Sequence, residues 1–286
     1  VLGAVATRIT RDHLDWHGSL EAYHGAKGNA LRAARAFVVT AADDPVAAAI
    51  PVRASRVLRY SDGALGEIGV EADWLVSRIG DAGRVLHADA TRLVGGFHVE
   101  NLGAAFAASQ QLGAPRHAAA LALCRVLPLP HRLQLLGELG GVRVFGNAVS
   151  TEVQSTVSAL RSVHGRIHWV GGGKSKDGQF EPVAAQVAPW IASAHLFGAA
   201  APELAPHLGS NVPTTVHDRL ESALDAAHGA ALAGDAIVFS PAFASFDQYS
   251  NFSERAAAFE AWLGRRIHTD AAHEATIGIG PGARQR

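Results

Sequence analysis

The sequence predicts an α/β chain in two domains, and three observations carry that prediction. From residue 142 onward, short apolar segments of strand length alternate with helical stretches, the pattern of a parallel sheet covered on both faces. At Leu127-Pro128-Leu129-Pro130 two prolines interrupt helix and the following pattern changes period, which marks a domain boundary. A chain of 286 residues is long enough for one or two domains, each with its own core.

Taken in order, residues 1–6 read as a buried strand and residues 20–36, rich in Ala, as a helix. Residues 37–40 form a short strand stopped by Asp43-Asp44-Pro45, and residues 55–92 read as short strands of a hairpin region turning at Gly63, Gly66 and Gly69. Helical patterns return at 99–112 and 116–125. Beyond the prolines, strands are expected at 142–145, 167–170, 195–197, 214–216 and 236–240. The helices between and after them fall at 153–163, 182–194, 201–208, 220–232 and 253–262. From residue 265 the chain, with Gly278, Gly280, Pro281 and Gly282, shows no core-forming pattern and reads as a disordered tail. Ligands of such sheets sit beyond the carboxyl ends of the strands, and the polar motifs below follow strand ends.

Composition narrows the class. Apolar residues make up 48% of the chain, and 25 basic residues nearly balance 26 acidic ones, so nothing points to nucleic acid or an anionic membrane. No apolar run reaches the ~18–20 residues of a membrane span, and the opening apolar stretch is too short for a signal segment. The lone cysteine, Cys124, lies in an apolar run and reads as packing in a reducing, cytoplasmic compartment. The 15 histidines are mostly scattered, and a packed or solvated role is the default for each.

The most informative block starts at Ile9-Thr10-Arg11-Asp12-His13-Leu14-Asp15-Trp16-His17-Gly18-Ser19 and continues through Glu21-Ala22-Tyr23 to Ala26-Lys27. It resembles the central-domain motif of the Mur ligases, most closely the MurD-type branch that joins glutamate to UDP-N-acetylmuramoyl-L-alanine. The resemblance implies that His13 and Lys27 help hold Mg²⁺, with Lys27 carbamylated so that an ammonium becomes an anion. Phe239-Ser240-Pro241-Ala242-Phe243-Ala244-Ser245-Phe246-Asp247, followed by Asn251-Phe252 and Arg255, resembles the same branch's S-P-A-x-A-S-x-D-x-[FY]-x-N-F-x-x-R. There Ser245 and the main chain at Phe252 would contact the incoming glutamate; the alternative is a strand-to-helix turn with Ser245 as a helix cap. Gly172-Gly173-Lys174-Ser175-Lys176 resembles G-G-K-D-K-G, which puts Lys176 on a carboxylate of glutamate; a solvated lysine in a glycine loop is the alternative. Leu129-Pro130-His131-Arg132 resembles the family's L-P-H-R, whose arginine reaches nucleotide phosphates. Of H-N-x-x-N only the adenine-side Asn101 is kept, and Asp43-Asp44-Pro45 matches a D-D-P that puts Asp44 on the nucleotide side or forms an ordinary turn.

Two departures stand out. The phosphate loop G-x-x-x-x-G-K-[ST] has no match, since Gly173-Lys174-Ser175 would need glycine where His168 stands. Where the family has N-D-S-K-A-T-N, this chain has Gly146-Asn147-Ala148-Val149-Ser150-Thr151-Glu152, keeping only Thr151 in its role. The lost lysine, now Val149, removes a cation next to the acyl phosphate and glutamate. An apolar residue followed by Ser-Thr also resembles a branch that adds L-glutamate, so either enantiomer stays open.

The resemblance therefore implies a partial P-loop-type central domain over residues 1–126, a Rossmann-like glutamate-binding domain over 127–264 and a disordered tail over 265–286. It implies an ATP- and Mg²⁺-dependent ligase of peptidoglycan precursor synthesis, expected as a monomer and as the C-terminal two-thirds of a longer enzyme. A Mur-ligase fold kept for binding without catalysis is one alternative, and a ligase of the same fold in another pathway that couples a different amino acid is another.

Overall fold

The computed structural model describes residues 1–10, 14–176 and 178–276. The chain divides into two units, Val1–Leu127 and Pro128–Arg286.

The first unit carries a six-stranded sheet in the order β1-β2-β3-β4-β5-β6. β1 (Gly3–Ala6), β2 (Phe37–Ala41), β3 (Arg56–Ser61) and β4 (Ile68–Glu71) run parallel. β5 (Trp74–Ser77) and β6 (Gly83–His87) continue as an antiparallel meander, but the expected turn glycines do not make its hairpins. Gly63 and Gly66 lie between the parallel β3 and β4, Gly69 lies inside β4, and the β4–β5 turn falls at Ala72-Asp73, both at positive φ. All five residues of β2 are buried, as a central parallel strand requires. β1 is an edge strand with Val5 45% exposed, so it is not the fully buried strand its sequence suggests. A four-residue helix α1 (Leu14–His17) precedes α2 (Leu20–Ala33), whose first turn is capped by Ser19: its Oγ accepts the Ala22 N–H at 3.1 Å. The short α3 (Pro45–Ala49) follows β2. α4 (Gly96–Gln111) lies against β2, β3 and β4, and α5 (Arg116–Leu123) packs on α4. Phe106, Leu102, Tyr60, Ile68 and Leu75 close the core between this helix and the sheet.

The second unit is a six-stranded sheet in the order β11-β10-β9-β12-β8-β7. β8 (Val142–Gly146), β9 (Ile167–Gly172), β10 (Ser193–Phe197), β11 (Thr214–His217) and β12 (Ala236–Ala242) are parallel, and β7 (Gln134–Leu139) pairs antiparallel on one edge. Every residue of β9, β10 and β12 is buried; most are apolar, and the polar His168, Ser193, His195 and Ser240 are hydrogen-bonded inside. The helices are α6 (Val153–Arg161), α7 (Phe180–Val187), α8 (Ala201–Leu204), α9 (Leu220–Ala230) and α10 (Phe252–Thr276). α9 buries Leu220, Ala223, Leu224 and Ala227, the i, i+3, i+4, i+7 stripe of an amphipathic helix. That stripe joins Phe259, Trp262 and Leu263 of α10 and Val144, Val170, Phe197 and Phe239 of the sheet in one cluster. The chain crosses from β8 over to β9 and later returns with β12 between them. The carboxyl ends of β8, β9 and β12 therefore flank a crevice of the kind that binds ligands in open α/β sheets.

Three sequence expectations are corrected here. The helix expected over 182–194 ends at Val187 and gives way to a 3₁₀ turn, because Pro189 supplies no N–H; Ser193 and Ala194 belong to β10. β7 was not foreseen, although Gly140-Gly141, both at positive φ, join it to β8 as a two-residue hairpin turn. α10 runs to Thr276, past the point where the tail was expected to lose structure at residue 265. The stretch after Leu263 holds no helix breaker beyond Gly264, and the Gly/Pro cluster that suggested disorder begins only at Gly278, outside the described residues.

Candidate amino-acid cleft and nucleotide-side residues

Three loops of the second unit meet at one end of its sheet. The loop after β8 brings Thr151 and Glu152, the loop after β9 brings Ser175 and Lys176, and the end of β12 brings Ala242 and Phe243; together they line a cleft of about 180 Å³. The post-β9 loop is possible because of its glycines. Gly172 and Gly173 have φ of +140° and +129°, and a Cβ on Gly172 would lie 1.9 Å from the Phe197 carbonyl oxygen. Lys174 then exchanges both backbone hydrogen bonds with Ala244, at 2.8 and 3.1 Å, which ties this loop to the segment after β12.

Beneath the post-β8 loop lies a buried polar network. Asn147 accepts the Leu133 N–H at 3.2 Å and donates to Ser240 Oγ at 3.0 Å. Thr156 Oγ1 pairs with Ser240 Oγ at 2.9 Å and with Ser150 Oγ at 2.8 Å, while Trp169 Nε1 donates to the Ser240 carbonyl at 2.8 Å. Asn147 thus braces the loop as a neutral amide where the resembled family has an aspartate. Satisfied side-chain partners of this kind fix a loop because leaving any of them unpaired and buried is costly.

Arg255 of α10 is fully buried and was not singled out by its sequence context beyond ending a motif. Its Nη1 donates to the Phe243 carbonyl at 2.9 Å and reaches the Gly172 carbonyl at 3.5 Å; its Nη2 donates to the Ala148 carbonyl at 3.3 Å. One guanidinium therefore ties together all three loops of the cleft. Burial pushes it down to about 10, which still leaves it charged at neutral pH.

Of the expected glutamate contacts, Thr151 and Lys176 line this cleft. Lys176 forms an ion pair with Glu152. Ser245 is buried and its carbonyl accepts the Gln248 and Tyr249 N–H groups, so it closes a turn and does not cap α10. That cap is Asn251, whose Oδ1 accepts the Glu254 N–H at 3.0 Å, while the Glu254 carboxylate receives the N–H of Ser250, one residue before the cap. Phe252 is the first residue of α10 and is 40% exposed. Neither Ser245 nor Phe252 lines the cleft. Arg132 is exposed beside His131, which has φ of +63° and pairs with Glu260 at 3.1 Å.

In the first unit Lys27 is exposed on α2, with its Nζ 5.3 Å from the centre of the Tyr23 ring. His13 lies outside the described residues. Asn101 is exposed on α4. Asp44 is buried, and its carboxylate accepts the Ile9 N–H at 2.8 Å and those of Val46 and Ala47 at 2.9 and 3.0 Å. It is the N-cap of α3, the turn alternative of the D-D-P triplet. Beside it Arg8 bridges Asp43 at 3.0 Å and Glu100 at 2.9 Å, a cluster the sequence did not reveal because its members are 35 and 92 residues apart. Burial alone would lower the Arg8 guanidinium, but the hydrogen bonds to Asp43 and Glu100 outweigh it and raise it; burial in turn pushes the Glu100 carboxyl up. Among the described residues no helix is long and apolar enough to cross a membrane.

Both units match models of one family, in chain order, and the unmatched residues 110–130 bracket the division between the units. Residues 2–109 match the Mur ligase middle domain, and residues 131–243 match the Mur ligase, glutamate ligase domain. The chain belongs to the Mur ligase family. Among curated proteins it is similar to the UDP-N-acetylmuramoylalanine–D-glutamate ligase of Paraburkholderia xenovorans (strain LB400), 32% identical over 289 residues, covering 90% of this chain and 57% of that protein. The enzyme of the same name from Burkholderia mallei (strain SAVP1) is 33% identical over 295 residues, covering 90% of this chain and 58% of that protein. The chain thus spans under three-fifths of the length of these relatives. Solved structures agree on the fold. The UDP-N-acetylmuramate-alanine ligase MurC of Thermotoga maritima superposes with a TM-score of 0.69 at 13% identity, covering 93% of this chain and 60% of that one. FolC of E. coli in complex with DHPP and ADP gives 0.66 at 23% identity, covering 92% and 62%.

Proposed function

We propose that this chain is the amino-acid-binding part, and a portion of the nucleotide-binding part, of an ATP-dependent ligase that adds glutamate to UDP-N-acetylmuramoyl-L-alanine in peptidoglycan precursor synthesis. The observation that carries the reading is the cleft at the carboxyl ends of β8, β9 and β12, where Thr151 and Lys176 sit together in a chain about one-third identical to such ligases. In the reaction, the muramoyl-alanine carboxylate takes the γ-phosphoryl group of ATP to give an acyl phosphate and ADP. The glutamate amine attacks the acyl carbon, and the tetrahedral intermediate collapses with loss of phosphate. This chain's part is to hold glutamate so that its amine faces that carbon. The Lys176 ammonium and the Thr151 hydroxyl are the carboxylate-binding groups of the cleft, set on loops that Arg255 and the Asn147–Ser240–Thr156 network keep rigid. Ser245 and Phe252 belong to the same reading, as do Asn101 and Arg132 on the nucleotide side.

The reading also assigns Mg²⁺ to His13 and Lys27. Lys27 as an ammonium is no ligand, His13 lies outside the described residues, and among the described residues no group of three His, Cys, Asp or Glu could hold a metal. No step is therefore derived through the ion. The test is calorimetric titration of the chain with D- and L-glutamate, beside Lys176→Ala. Binding of one or both enantiomers, lost in Lys176→Ala, is the expected result; no binding of either at millimolar concentrations refutes the reading.

A further inference from the structure

The cleft departs from what a site for a dicarboxylate needs, and two substitutions on one loop cause the departure. Val149 stands where the resembled family has a lysine, which removes a positive charge. Glu152 stands where that family has an asparagine, which adds a negative one. The structure shows where the second charge goes. Among the described residues lining the cleft only Glu152 and Lys176 are ionisable, and they form an ion pair with each other. Lys174 and Arg255 are near in sequence or space but do not line it, and Arg255 is spent on three backbone carbonyls. The described lining residues therefore carry no net charge before any ligand arrives.

Glutamate brings two carboxylates and one amine. To engage Lys176, one carboxylate must displace Glu152 and then lie beside it, so the cation is gained only against like-charge repulsion. An amino acid with an uncharged amide side chain makes no such demand, because an amide can accept from Lys176 and donate to Glu152 at once. Glu152 and Lys176 are 44% and 53% exposed at their side chains, so water screens the pair and it opens readily.

Resting on the amino-acid-cleft reading above, we infer that Glu152 is a specificity-determining residue, which neutralises Lys176 so that glutamine competes with glutamate for the cleft. Glu152 acts through Lys176 and is in that sense a positioning residue. Its removal should act on selectivity more than on affinity for every ligand alike.

The experiment titrates the wild-type chain and Glu152→Gln with glutamate and glutamine, in both enantiomers, after circular dichroism has shown that the variant folds. In the wild type glutamine and glutamate of the preferred hand should bind within about threefold of each other. In Glu152→Gln, glutamate should bind roughly fivefold more tightly while glutamine changes little, the scale of one half-exposed ion pair. The gain should vanish in Glu152→Gln/Lys176→Gln, because it is transmitted through the lysine. A wild type that prefers glutamate over glutamine by tenfold or more, with a ratio unmoved in Glu152→Gln, overturns the inference and leaves the glutamate-binding reading standing. Equal weakening of both ligands in Glu152→Gln also overturns it, since that marks a merely structural residue. No binding of any of the four ligands to either chain overturns the underlying reading and the inference with it.

Discussion

Replacing Arg255 by Met tests whether one buried guanidinium organises the cleft. Arg255 is fully buried, and its hydrogen-bond partners are neutral carbonyls of Phe243, Ala148 and, more weakly, Gly172. Each charge-assisted hydrogen bond contributes about 1.5–3 kcal/mol, so the two shorter ones come to roughly 3–6 kcal/mol before desolvation is subtracted. Desolvation is large for a buried cation with no carboxylate bound to it, as its lowered pKa of about 10 already says. Methionine fills most of the volume but leaves two buried carbonyls unpartnered, and we expect a net loss of about 3 kcal/mol in the second unit. At roughly 2–4 °C per kcal/mol for a unit of this size, its thermal transition should fall by about 6–12 °C. Calorimetry reads that transition, and glutamate titration reads the cleft. Arg255→Met should lose binding at temperatures where it is still folded, because the loops carrying Thr151 and Lys176 are no longer tied to the segment after β12. Arg255→Lys keeps the charge but lacks the planar fork that reaches three carbonyls, and should lose nearly as much. A variant Arg255→Met as stable as the wild type, with glutamate binding intact, would refute the reasoning: the guanidinium would then be buried at a net cost.

Two further outcomes follow from the same unit. Burial, with smaller effects from His168 and His217, holds the His195 imidazole down at about 4, below its ordinary 6.5. Because the unfolded chain takes up this proton first, stability is full above about pH 6.5 and falls by up to about 3 kcal/mol as pH drops toward 4. His195→Gln should flatten that part of the urea-midpoint profile between pH 4 and 7, and parallel profiles for the two chains would exclude His195 as the cause. Gly172→Ala places a methyl 1.9 Å from the Phe197 carbonyl oxygen at φ of +140°, and should cost more than about 3 kcal/mol or abolish soluble expression. Gly178→Ala, with φ of +67° and nothing within 4 Å of the new methyl, should cost only about 1 kcal/mol in the same denaturation assay.

What the sequence by itself determined was whatever local chemistry decides. Apolar runs such as Phe37-Val38-Val39 and Ile237-Val238-Phe239 marked buried parallel strands, and the double proline at 128 and 130 marked the division between the two units. The resemblance to the family's motifs singled out Thr151 and Lys176, which lie on loops after successive strands, and the order β8-β9 with β12 returning between them brings those loops to one cleft. Edges were harder to read. β7 holds an exposed Leu135 and a bulge before Gly137, so it neither alternates cleanly nor forms a buried run, and nothing in the local sequence of α10 stops it at residue 265. The tertiary structure alone decided which charges meet. Glu152 and Lys176 are 24 residues apart, Arg8 and Glu100 are 92 apart, and Arg255 reaches a carbonyl 107 residues away. No local pattern encodes such pairs, because a hydrogen bond or an ion pair depends on distance in space, and that distance is set by how strands are ordered in a sheet.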